Sequence, residues 1–121
     1  MTNFTPADLT FREHDQNPAK IAELAELFAD GEYAPIVVIA ETSEIVDGHH
    51  RARAAMQNGH EVQGVTIAQA DYDRLTAAGY DDMEIAFAAL LLEGESDAAY
   101  NIDAAFGGIV ATRGMAAYEE L

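Results

Sequence analysis

Apolar residues recur along this chain with two different periods, and each change of period marks a predicted element. Ile21, Leu24, Ala25 and Phe28 follow at helical spacing, so the stretch behind Asn17-Pro18 has one apolar face. Asn17 is a good helix cap and Pro18 suits the first helical position, which predicts a helix over 18–30 that Asp30-Gly31 ends. Pro35-Ile36-Val37-Val38-Ile39-Ala40 is rich in β-branched residues and predicts a buried strand. Glu41-Thr42-Ser43-Glu44 is a polar turn, and Ile45-Val46 begins a second short strand that Asp47-Gly48 breaks. A helix from His49 or His50 to Asn58, closed by Gly59, leads to a third strand over Val62–Ile67. Residues 1–16 are expected to be irregular, with a short extended piece around Asp8-Leu9-Thr10-Phe11.

Beyond residue 68 the pattern is helical. One helix is predicted from Gln69 to Ala78, and a second, capped by Asp81-Asp82, to about Glu93. The second carries Ile85, Ala86, Phe87, Ala88, Ala89, Leu90, Leu91 and Leu92 and is apolar nearly all round. Such a helix is buried, either inside the fold or against a second copy in a homodimer. Asp97 to Phe106 predicts another helix stopped by Gly107-Gly108, while Ile109 to Leu121 gives the weakest signal. The expected fold is a small α/β (α+β) domain. Residues 1–68 form a mixed-sheet core with flanking helices, and residues 69–121 a helical extension packed on it.

Composition narrows the class. With 121 residues, half of them hydrophobic, the chain can bury a core. No apolar run approaches the roughly 18 residues of a membrane helix, and Met1-Thr2-Asn3-Phe4-Thr5 lacks the features of a signal peptide. The absence of cysteine excludes disulfides, thiol chemistry and cysteine-ligated zinc. A soluble, cytoplasmic protein without membrane association is expected.

Charge changes the picture more. Twenty-two acidic residues against six basic ones give a formal net charge of −16, spread over both halves of the chain. Direct nucleic-acid binding needs clustered Lys and Arg, so it is not expected. The acidity fits a solvated surface, an acidic face that meets a basic protein partner by imitating nucleic acid, or adaptation to high salt.

Candidate chemistry is concentrated at Asp47-Gly48-His49-His50-Arg51-Ala52-Arg53-Ala54, where a strand ends at a glycine and a helix opens. The first amide groups of a helix have no partner within it, and the helix dipole adds positive potential there. Gly48 lets the backbone approach a ligand closely. Arg51 can give phosphate a bidentate contact, and the two imidazoles can donate further hydrogen bonds. Arg53, two residues on, is expected to face the surface. A metal site of His49, His50 and Asp47 is the lesser alternative, since no His-x-x-x-His spacing is present.

The order of helix 18–30, strand, turn, strand, Asp47-Gly48-His49-His50-Arg51-Ala52-Arg53-Ala54-Ala55 and strand Val62–Ile67 resembles the ParB/sulfiredoxin superfamily. A strand-Gly-x-x-Arg-helix phosphate motif is that superfamily's hallmark. The Asp-Gly-His-His-Arg form looks particularly like its free-serine kinase branch, and Arg12-Glu13-His14-Asp15 looks like the acidic segment placed near the nucleotide there. The resemblance covers roughly residues 8–68. It implies an ATP, ADP or CTP site with Mg2+, in which Gly48, His49, His50 and Arg51 hold phosphates. Glu13 would be a general base and Asp47 would help place the metal. His49 stands where sulfiredoxins have their catalytic cysteine, so sulfinic-acid reduction is not implied. The helix-turn-helix domain and basic residues of DNA-clamping ParB proteins are missing.

Two functions of different class follow. One is a nucleotide-phosphate-binding ParB-like protein, acting as a small-molecule phosphotransferase. The other is an acidic, non-enzymatic inhibitor of the phage anti-CRISPR or anti-restriction type, which would block a basic nucleic-acid-binding partner in the host cytoplasm.

Overall fold

The computed structural model describes residues 1–12, 17–27 and 33–121. Four strands, β1 (Thr2–Phe4), β2 (Ile36–Ile39), β3 (Ile45–Asp47) and β4 (Val62–Ile67), form one sheet in the order β1-β4-β2-β3. β2 and β4 are parallel, with Ile36 opposite Gly64 and Ile39 opposite Ile67, whereas β1 on β4 and β3 on β2 are antiparallel. A parallel pair needs a crossover connection. Here α2 (His49–Asn58) supplies it between β3 and β4. The other helices among the described residues are α1 (Pro18–Leu27), α3 (Gln69–Ala77), α4 (Asp82–Leu92), α5 (Ser96–Ala105) and α6 (Ala111–Glu119). This is the mixed α+β architecture expected from the pattern.

Alternation along β2 builds three layers. Ile36 and Val38 point to one face, where they pack with Leu9, Ile45, Ala52, Ala55 and Val62 beneath α2. Val37 and Ile39 point to the other, where they join Val46, Val65 and Ile67 against the helices that follow β4. All four β2 residues are buried, as a strand covered on both faces requires. Residues 69–121 therefore supply the whole cover of one sheet face.

α4 lies at the centre of that cover. Ile85 to Leu90 are all buried, against the sheet on one side and α5 and α6 on the other, whereas Leu92 at the end of the apolar run is exposed. Its start is fixed by a capping box. Asp81 Oδ1 accepts from the Glu84 amide, and Glu84 Oε1 accepts from the Asp81 amide, both at 2.9 Å. Glu84 also receives Arg113 Nε of α6 at 2.9 Å, which satisfies its buried carboxylate. α6 can come this close because Gly114 faces Phe87: a Cβ there would stand 2.5 Å from the ring.

The ends of the chain depart from expectation. Residues 1–16 were expected to be irregular, but Thr2–Phe4 is an edge strand on β4. A 3-10 turn occupies Pro6–Asp8, and of the predicted extended piece around 8–11, Thr10 makes an isolated bridge to Glu44. The faint signal after Ile109 resolves into α6. Asn17 caps α1 as predicted, its Oδ1 accepting from the amides of Ala19 and Lys20 at 3.0 and 3.3 Å. The predicted end of that helix at Asp30-Gly31 falls outside the described residues. Among the described residues no helix is long and apolar enough to cross a membrane.

Phe87 has no exposed surface and anchors the layer between α4 and α6. Phe87→Ala is expected to lower stability by about 3–5 kcal/mol, read from the midpoint of urea unfolding.

Candidate anion-binding site

The turn between β3 and α2 is built on one glycine. Gly48 has φ +105°, a left-handed conformation that side chains rarely adopt, and a Cβ here would overlap the Ile36 side chain and lie 3.2 Å from Arg51 Nη2. Backbone, sheet and guanidinium thus close on the same point. α2 begins at the next residue, so its first-turn amides and the positive end of its dipole open beside Gly48.

A cavity of about 360 Å3 lies over this turn. Asp47, Gly48, His49, His50 and Arg51 line it from the turn, and Lys20 from α1 adds a second cation. Leu24, Met83 and Phe106 form an apolar wall. A second cavity of about 200 Å3 shares Asp47, Arg51 and Phe106 with the first and adds Asn101 and Ile102 of α5.

Charge around the turn runs against the rest of the molecule. Arg51 Nη2 pairs with Asp47 Oδ2 at 2.9 Å, from the first turn of α2 back to the end of β3, with both side chains largely shielded from solvent. This pair holds the guanidinium at the cavity but also spends part of its donor capacity. Lys20 is exposed. Arg53 is partly exposed, and its guanidinium lies 3.7 Å from the centre of the Phe11 ring, which is 6.3 Å from the ring of His49. Arg12 reaches the same neighbourhood through its backbone, whose N–H donates to His49 Nε2 at 3.4 Å. Lys20 and Arg51 thus face the cavity, while the Arg53 guanidinium is engaged by Phe11 and that of Arg12 by Tyr72, Asp82 and Glu44.

The two histidines differ in role. His49 is buried, at 5% exposure, whereas His50 is partly open and accepts the Asn17 amide at Nε2, 3.4 Å away. Each imidazole accepts a backbone N–H at Nε2, which assigns its ring proton to Nδ1 in this arrangement. His49 thereby joins Arg12, and His50 joins Asn17, to the start of α2.

Behind His49, Arg12 organises a polar cluster. Its Nη2 donates to the Tyr72 hydroxyl at 2.7 Å, and that hydroxyl donates to Asp82 Oδ1 at 2.6 Å. Arg12 also pairs with Asp82 at 3.4 Å and Glu44 at 3.5 Å. Burial works against the Arg12 charge, but Tyr72, Asp82 and Glu44 outweigh it and raise the pKa above the usual arginine value. Burial raises the Tyr72 pKa, and the hydrogen bond to Asp82 raises it further.

Of the residues predicted from sequence, Asp47, Gly48, His49, His50 and Arg51 line one cavity, and Glu13 lies outside the described residues. Lys20, Leu24, Met83 and Phe106 were missed. Lys20 alone carried a usable signal, being the single lysine of a very acidic chain. Among the described residues no three His, Asp or Glu side chains converge as a metal-ligand set.

Two outcomes are expected. Gly48→Ala combines a strained backbone with overlap on Ile36 and should lower stability by about 2 kcal/mol or more in chemical denaturation. The Tyr72 pKa is raised in the folded chain, so its contribution is full below the unfolded value of 10.0 and fades as pH rises through the folded value. The stability difference between wild type and Tyr72→Phe should therefore be constant between about pH 7 and 9 and shrink above pH 10.

No family model, curated protein or solved structure matches this chain, so the reading of the site stands on its geometry.

Proposed function

We propose that the chain binds the phosphate groups of a nucleotide (ATP, ADP or CTP with Mg2+) at the turn Gly48-His49-His50-Arg51, as a ParB/sulfiredoxin-like protein. The observation that carries this reading is that Lys20 and Arg51, two of only six basic residues, line the cavity at the first turn of α2 in a protein of net charge −16. A solvated surface has no reason to collect its few cations at the end of a helix that already favours anions.

The site residues suit such a group. Gly48 leaves the backbone open, Arg51 offers a planar donor fork beside the first amides of α2, and Lys20 supplies a mobile point charge from the facing helix. Mg2+ would lower the charge on the phosphates and polarise them. Asp47 is the carboxylate placed to meet that ion, at the expense of its contact with Arg51. Phosphoryl transfer to a small-molecule acceptor is the reaction class this chemistry serves, with Glu13 as the candidate general base. The inhibitor reading draws on charge alone. Exposed carboxylates are found on α1 (Glu23, Glu26), α3 (Asp73) and α6 (Glu119).

A thermal-shift screen with ATP, ADP, CTP and Mg2+ tests the proposal. Ligand at 100 times its dissociation constant should raise Tm by roughly 10 °C. Arg51→Ala should abolish the shift and Lys20→Ala reduce it. Arg51→Lys, which keeps a cation for Asp47, should weaken affinity about tenfold by removing the bidentate contact. No shift at millimolar nucleotide, or an undiminished shift in Arg51→Ala, would overturn it.

A further inference from the structure

We infer that Phe106 is the stacking platform for the base of the bound nucleotide, and so the residue that makes this site prefer a base-bearing phosphate to a bare one. The inference rests on the phosphate reading above and names the other half of the ligand. The cavity over the turn has charged and apolar lining, and at about 360 Å3 it falls in the range that holds whole small molecules. A ligand that met only the charged groups would leave Leu24, Met83 and Phe106 facing water. The ligand that matches both kinds of lining carries an anion and a flat, weakly polar part.

Phe106 is suited to the flat part. Half of its surface is exposed, unusual for an aromatic ring beside the core, and it lines both cavities that meet at Arg51. Its backbone is held firmly. The Phe106 amide donates to the carbonyls of Ile102 and Asp103, and Gly107 and Gly108 then turn the chain with positive φ. Asp103 Oδ1 accepts the amides of Val110 and Ala111 at 2.9 and 2.7 Å, which fixes the connection from α5 into α6. The ring thus stands on a rigid corner. Met83 adds a polarizable side chain to the same wall, suited to lie against an aromatic ring. Stacking tolerates any base, so Phe106 selects for a base without choosing which one.

The test compares ATP with inorganic tripolyphosphate, each with Mg2+, by isothermal titration of wild type, Phe106→Ala and Phe106→Trp. Wild type should bind ATP roughly 5- to 100-fold more tightly than tripolyphosphate. Phe106→Ala should bring ATP down to the tripolyphosphate level while leaving tripolyphosphate unchanged, which also shows that the variant is folded. Phe106→Trp should restore the preference. Because the chain has no other tryptophan, ATP should also quench that variant's fluorescence, and tripolyphosphate should not. Equal affinity of wild type for the two ligands, or unchanged ATP affinity in Phe106→Ala, overturns the platform and leaves the phosphate site standing. Failure of both ligands to bind wild type overturns both.

Discussion

Two glycines let backbone close in on Ile36, and the site depends on that approach. Ile36 opens β2 without exposed surface, and a Cβ at Gly48 would overlap its side chain. On its other flank, a Cβ at Gly64 of β4 would stand 2.5 Å from the Ile36 carbonyl oxygen. The same isoleucine thus sets the spacing of the parallel pair and seats the turn that starts α2. Because the sheet is covered on both faces, Ile36 cannot move outward to admit a larger residue. The position of the first amides of α2 is therefore a consequence of core packing, which is how a rigid scaffold holds a binding turn.

The charged groups are arranged in tiers from that turn. Asp47 at the end of β3 restrains Arg51 in the first turn of α2, and the buried His49 takes the Arg12 amide. Arg12 in turn spreads its charge over Tyr72, Asp82 and Glu44, which belong to α3, α4 and the turn before β3. Arg12 is in this way fastened to α3, α4 and the turn before β3 by its side chain and to α2 by its backbone amide. Lys20 and His50 remain as the groups with the most room to adjust, since Lys20 is exposed and His50 partly open. A ligand anion would thus meet a fixed donor at Arg51 and adaptable ones beside it.

How much of this was legible in the sequence depended on the range of the interactions. β2 was plain because Ile36-Val37-Val38-Ile39 is apolar on both faces, and α4 because its capping box and apolar run lie within a dozen residues. The strand-glycine-helix turn was plain for the same reason. β1 was not, since Thr2-Asn3-Phe4 has no period of its own and becomes a strand only by pairing with β4, sixty residues away. The stacking of Arg53 on Phe11 was not legible either, because Phe11 arrives from the N-terminal segment. Lys20, Met83 and Phe106 share a cavity with Gly48 but lie between 28 and 58 positions from it in the chain, and no local pattern encodes that meeting.

A protein of net charge −16 is an unexpected host for an anion, and screening reconciles the two. At physiological ionic strength charges interact over about 8 Å, so carboxylates on distant elements act weakly on a group held at the turn. What a bound phosphate would feel is the local set of Arg51, Lys20, the helix end and the neighbouring imidazoles, offset by Asp47. The overall charge acts instead on approach, where it slows any anion and favours ligands that arrive with part of their charge already neutralised. A magnesium-bound nucleotide meets that condition better than a bare polyphosphate does. On the proposed reading, the acidic surface would act against free anions in general and the turn would hold the few that carry their own cation.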